Sequence, residues 1–148
     1  MGEAMDSKKI LFCGSFEESM DEKFRIILKK AFCADPADLG LRSVFLLAAC
    51  HKEKCAIGVM NGHLPFTPED YENLAPHFFA SNMDKTHRIV IPLEVRKNIF
   101  PEQKNSSKVV LVGRGNYFEV WPSETYNPEA LPEQESNLVQ RIIENRPI

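Results

Sequence analysis

The sequence predicts an α+β, mainly β protein in which one strand-rich unit occurs twice. Three observations predict it. β-branched and aromatic residues gather in short runs bounded by turn residues, as half-buried strands require. One such run recurs at a constant spacing, Ser19–Leu28 (SMDEKFRIIL) matching Asn82–Ile91 (NMDKTHRIVI) sixty-three positions further on. With 43% hydrophobic residues in 148 positions, the chain can bury one sizeable core.

In chain order, each copy reads as strand, tight turn, strand, short helix, two more strands and a closing helix. Asp21–Phe24 and Asp84–His87 are the tight turns, and Arg25–Leu28 and Arg88–Ile91 the strands that leave them. The later strands match as Val44–Leu47 with Val109–Val112, and Cys55–Val59 with Tyr117–Trp121. A capped helix start follows in both copies, Thr67-Pro68-Glu69 in the first and Ser123-Glu124 in the second, each before an aromatic, Tyr71 or Tyr126. We place the first repeat at 9–66, a connector at 67–80, the second repeat at 81–126 and a linker with a C-terminal helix at 127–148. The last assignment rests on Leu138, Val139, Ile142 and Ile143, which recur at helical spacing.

Several classes are excluded. The longest apolar run, Val44–Cys50, has seven residues, far below the roughly 20 that span a bilayer. Met1–Lys9 is polar and lacks the apolar core of a secretory signal, so a cytoplasmic location is expected, with Cys13, Cys33, Cys50 and Cys55 reduced and acting as small buried hydrophobes. The formal net charge of -3 does not favour nucleic acid by itself; only positive charge gathered on one surface would.

The second copy carries a specific resemblance. Asp84-Lys85-Thr86-His87-Arg88-Ile89-Val90-Ile91-Pro92, then Arg96, Val110-Leu111-Val112-Gly113 and Phe118-Glu119-Val120-Trp121 resemble the MraZ family. Members carry two AbrB-like (SpoVT/AbrB) units, each with an Asp-x-x-x-Arg motif, and the likeness runs from about Cys13 to Tyr126. It implies a swapped-hairpin fold whose repeats form a pseudo-dimer, chains closing into a homo-oligomeric ring, and binding to repeated sites in a promoter, typically that of the division and cell-wall gene cluster. A nucleoid association follows from that role. It implies no cofactor, in keeping with a sequence that has no nucleotide-binding or metal signature. The family usually places Gly before the motif arginine, where this chain has Phe24 and His87. Because Phe adopts a positive φ poorly, a different turn shape is expected in the first copy. There, too, Lys29 stands for the family's Pro and Cys33 for its second Arg.

The residues themselves support a grip on DNA. An Asp four positions before an Arg can accept backbone N–H groups and hold the loop, while the arginine projects from the next strand toward phosphate or a guanine edge. From Asp21 to Cys33 there are four basic residues (Lys23, Arg25, Lys29, Lys30) against Asp21 and Glu22; from Asp84 to Lys97, Lys85, Arg88, Arg96 and Lys97 stand against Asp84 and Glu94. The candidate DNA-binding residues are therefore Arg25, Arg88, Lys23, Lys85, Lys29 and Arg96, with Asp21 and Asp84 as turn-holding residues. The bland alternative is a local surface ion pair in each turn, with Lys23 and Lys85 as solvated charges.

Other patterns carry less. Cys50-His51-Lys52-Glu53-Lys54-Cys55, with His63 nearby, has metal-ligand residue types but not the spacing of a zinc knuckle, and the second copy has Gly113-Arg114-Gly115-Asn116-Tyr117 there. Both read as hairpin turns, and no metal site is expected. Arg114 at its tip is placed to touch DNA or a neighbour, and Trp121 alternates within an apolar strand as a packing residue. Asn105-Ser106-Ser107 reads as a polar loop. His63, His77 and His87 have no nucleophile and acid in a repeatable arrangement, so no enzyme is expected. The competing function is a ring-forming or dimerising interaction protein, or an AbrB-like antitoxin, without DNA binding.

Overall fold

A computed structural model describes residues 11–29, 32–33, 44–51, 53–100, 107–128 and 138–143. The expected short helix between the second and third strands, Lys30, and most of the linker before the C-terminal helix lie outside these residues.

Eight strands and three short helices are described: β1 (Ser15–Met20), β2 (Arg25–Ile27), β3 (Val44–Cys50), β4 (Cys55–Met60), α1 (Pro68–Leu74), a 3-10 turn (Ala75–His77), β5 (Phe79–Asn82), β6 (Arg88–Val90), α2 (Leu93–Ile99), β7 (Ser107–Gly113), β8 (Phe118–Pro122) and α3 (Leu138–Ile143). Six strands form one antiparallel sheet in the order β1-β7-β8-β4-β3-β5, while β2 and β6 form a separate ribbon. The copies are thus interleaved. β1 of the first copy pairs with β7 of the second, and β5 of the second pairs with β3 of the first. Reversing the sheet order exchanges each strand for its counterpart, which is the pseudo-two-fold of a swapped-hairpin pair. The axis passes through Ile57, opposite Glu119 in the sheet, and Ile26, opposite Ile89 in the ribbon.

Strand pairing corrects one correspondence made from sequence. Ser19 faces Lys108 and its counterpart Asn82 faces Val44, so Val44 corresponds to Lys108 and not to Val109. Runs of apolar residues let a match slide by one, but a slip of one turns every side chain to the other face, and packing settles the register. A second correction concerns Ser123-Glu124. Thr125 and Tyr126 N–H groups both donate to Pro122 O, at 3.1 Å, and the chain makes a turn without a helix. Pro128 biases Asn127 away from the helical region, which stops propagation. Thr67, by contrast, caps α1, its Oγ1 accepting the Asp70 N–H at 3.0 Å.

The sheet is packed on both faces. Phe45, Leu47, Ala56, Val109, Leu111, Phe118 and Val120 point inward toward the ribbon and α2, meeting Ile26, Ile89, Ile91 and Val95. Gly58 is required here, because a Cβ would overlap the Phe118 ring. On the opposite face Leu46, Ala48, Cys50, Cys55, Ile57 and Val59 meet Leu74, Phe78 and Ile142. Ile142 is buried and Leu138 and Val139 half-buried, so α3 docks by its apolar side. No helix among the described residues is long and apolar enough to cross a membrane.

Candidate nucleic-acid interface

Each motif aspartate organises its turn in the same way. Asp21 Oδ1 accepts the N–H groups of Lys23 and Arg25, both at 2.9 Å, and its Oδ2 accepts Arg25 Nε–H at 2.7 Å. Asp84 Oδ1 accepts the N–H groups of Thr86 and Arg88 at 2.9 Å, and its Oδ2 accepts Arg88 Nε–H at 3.0 Å. The Arg88 N–H, helped by Thr86, holds the Asp84 carboxyl down at about 2. At Asp21, desolvation pushes the carboxyl up, but the Arg25 and Lys23 hydrogen bonds outweigh it and leave the group below its ordinary value. Both carboxylates are therefore ionised at neutral pH.

The turns keep the shape that a glycine would favour. Phe24 and His87 both sit at φ 63, in the left-handed region, contrary to the expectation of a different turn at Phe24. The reason lies in the partner copy. Phe24 O accepts the Ile91 N–H and His87 O accepts the Leu28 N–H, both at 2.9 Å, so each left-handed residue turns its carbonyl onto the strand of the other repeat. For an L-residue this conformation costs about 1–2 kcal/mol, against roughly 0.5–1 kcal/mol of chain entropy that a glycine would lose. His87→Gly is therefore expected to stabilise the fold by about 0.5–1 kcal/mol, read as a raised urea midpoint with unchanged slope; a lowered midpoint would show that the imidazole makes interactions worth more than the strain.

The two arginines reach one surface. In the ribbon Arg25 faces Val90 and Ile27 faces Arg88, so these four side chains share the outer side while Ile26 and Ile89 are fully buried on the inner side. Arg25 and Arg88 are each 29% exposed, and Arg88 Nη1 lies 3.9 Å from Asp21 Oδ2, across the copies. Ile27 and Val90 are exposed beside them. Lys23 and Lys85 are exposed in the turns.

The other two candidates are engaged in the fold. Lys29 Nζ pairs with Glu18 at 3.1 Å and lies 5.9 Å from the Phe16 ring. Arg96 lies over the Phe24 ring at 3.7 Å and donates from Nη1 to Ile91 O at 2.9 Å, fastening α2 to the first turn. Arg114 turns inward to Glu119 at 3.1 Å.

Sequence reasoning missed a buried ionic cluster on the opposite face. Glu119 is fully buried and Arg141 only 2% exposed. Arg141 Nη1 lies 2.8 Å from Glu119 Oε2, an ion pair without aligned hydrogen-bond geometry, while Nη2 and Nε hold both Glu53 oxygens at 2.6 and 3.1 Å. The signal was present, since Glu119 occupies the position of Ile57 in the duplicated strand.

Comparison with known proteins adds the following. The family described as "MraZ protein, putative antitoxin-like" matches residues 75–141. A protein named "Transcriptional regulator MraZ" from Carboxydothermus hydrogenoformans is 28% identical over 128 residues, covering 79% of this chain and 85% of that one. A protein of the same name from Syntrophomonas wolfei is 28% identical over 125 residues, covering 78% of this chain and 84% of its own length.

Proposed function

We propose that this chain is a member of the MraZ family, which its match over residues 75–141 and its 28% identity to two proteins of that name support, and that it is a sequence-specific DNA-binding transcriptional regulator, acting at the promoter of the division and cell-wall gene cluster. One observation carries the reading: Arg25 and Arg88, from different repeats, stand on the same outer side of the β2–β6 ribbon, each aimed by its own aspartate. A two-stranded ribbon fits the major groove, where guanidinium groups bind guanine edges bidentately and aliphatic side chains meet thymine methyl groups. Ile27 and Val90, lying between the arginines, are suited to the second task. Lys23 and Lys85 would meet the flanking phosphates, while Lys29 and Arg96 would serve mainly as structural supports.

A small cationic surface on an acidic chain binds weakly by itself. Assembly of copies into a closed ring would present several such ribbons to repeated promoter sites, and linked contacts multiply affinity without new chemistry. The corresponding location is the cytoplasm, at the nucleoid.

The test is a titration of the full chain against a duplex from upstream of its own gene, at about 50 and 200 mM salt. Binding to this duplex over a scrambled one, weakening steeply at the higher salt, is the expected result. No binding to any duplex at the lower salt would remove the proposal and leave an interaction protein, the antitoxin-like role in the family's description included.

A further inference from the structure

The face of the sheet opposite the ribbon holds reactive groups that DNA binding leaves unused. Cys50 and Cys55 are direct partners at the end of the β3–β4 ladder. Both are fully buried. Their sulfurs and a Glu53 carboxylate oxygen lie within 4.8 Å of one another. Directly opposed residues in an antiparallel ladder have Cα atoms about 4.5–5.5 Å apart, inside the span that a disulfide bridges. The donor set resembles a metal site, but a guanidinium occupies it: Arg141 Nη2 is 2.6 Å from Glu53 Oε1 and 3.8 Å from Cys55 Sγ. A fixed positive charge at that spot repels a cation and favours one negative charge shared by the two sulfurs.

We propose that Cys50 and Cys55 form a reversible dithiol–disulfide centre, with Cys50 as the attacking thiolate, Cys55 as the resolving thiol and a small peroxide as oxidant. The two sulfurs are unequal in the way such chemistry needs. The Cys55 thiol donates to Cys50 and, with the Glu53 backbone N–H and the Arg141 charge, brings Cys50 down to about 7 in spite of burial and of the nearby Glu53 carboxylate. Cys55 is raised, by giving that hydrogen bond and by desolvation. One sulfur thus carries the negative charge and its neighbour keeps the proton. Cytosolic disulfides are commonly of this transient, redox-sensing kind.

The reaction balances in two steps. The Cys50 thiolate attacks one peroxide oxygen and the O–O bond breaks, leaving a sulfenic acid on Cys50 and a hydroxide that takes a solvent proton. Cys55 sulfur then attacks the sulfenic sulfur, the S–O bond breaks as the S–S bond forms, and the Cys55 proton leaves with the departing oxygen as water. Two sulfurs are oxidised and one peroxide is reduced. α3 covers the pair, so access requires its local opening, in which Arg141 leaves Glu53 and Glu119.

The test uses the reduced full chain treated with hydrogen peroxide, alkylated, cut with trypsin at Lys52 and Lys54, and analysed by mass spectrometry without reductant. A cross-link between the Cys50 and Cys55 peptides, reversed by dithiothreitol, is the expected product. Cys33 is the internal control, because desolvation and neighbouring Cys13 push its thiol up to about 12. Cys50 should react at least about tenfold faster than Cys33. Cys55→Ser should accumulate a dimedone-reactive sulfenic acid at Cys50, whereas Cys50→Ser should leave Cys55 unmodified at the same dose. Wild-type protein that keeps both thiols reduced while Cys13 oxidises, the one of the four cysteines that is exposed, contrary to the sequence expectation, would overturn the proposal, whatever the folding of the variants. Oxidation of Cys55 in Cys50→Ser at the wild-type rate would overturn the assigned order of attack.

Discussion

Replacing Arg25 and Arg88 together with alanine should lower affinity for the upstream duplex by at least about 30-fold, because each bidentate base contact is worth about 1–3 kcal/mol. The substitution is a clean one. Both side chains are partly exposed, and both turns keep the backbone N–H bonds to Asp21 and Asp84 that set their shape. Assembly and the circular dichroism spectrum should be unchanged. Discrimination between the upstream and scrambled duplexes should fall as well, because the hydrogen bonds that alanine cannot make are those to base edges. Lys23→Ala makes the contrast: a smaller loss, uniform across sequences, with the salt slope reduced by about one. Undiminished binding by the double arginine variant would mean that the ribbon is not the DNA-contacting surface, even if the chain binds DNA elsewhere.

Much of this geometry was legible in the sequence because duplication doubles every signal. The Asp-x-x-x-Arg spacing gave the turn, and the family resemblance implied that its two copies pair. Apolar letters alone could not fix β3 against β7, where neighbouring valines make two registers look alike; only the pairing of Asn82 with Val44 decides. Sequence also favoured too strict a view of glycine. A residue with φ 63 is unusual at Phe24, yet Phe24 O and Ile91 N–H hold it there, with the Arg96 guanidinium on the ring. Such a compensation lies between the copies and leaves no local pattern. The same holds for Lys29 and Arg96, whose charge counts toward a basic segment but whose partners, Glu18 and the Phe24 ring, come from other elements.

Glu119→Gln should be the most costly conservative change in the core, lowering unfolding free energy by about 3 kcal/mol, near the lower end of the 3–5 kcal/mol for breaking a buried ion pair. Gln keeps an acceptor for the Trp121 Nε1–H that now donates to Glu119 Oε1 at 2.8 Å, but it withdraws the charge facing Arg114 and Arg141. The loss stays moderate because Glu53 continues to hold Arg141 through two hydrogen bonds. In a domain of this size the melting temperature should drop by about 6–12 °C. Acid should reveal the same group. Desolvation raises the Glu119 carboxyl, but Arg141, Trp121 and Arg114 lower it further, so its folded value lies below its ordinary one. Its stabilisation is then complete above pH 4.5 and is lost as pH falls through the depressed value, a loss that Glu119→Gln should not show. The duplicated strand supplies the last control, since its counterpart position holds Ile57. Glu119→Ile combined with Arg141→Met should be less destabilised than the sum of the two single changes, because removing both charges leaves neither buried without its partner. Strict additivity of the two would show that Arg141 draws its stability from its other partners, Glu53 and the Tyr117 hydroxyl, and that α3 is not fastened to the sheet through Glu119.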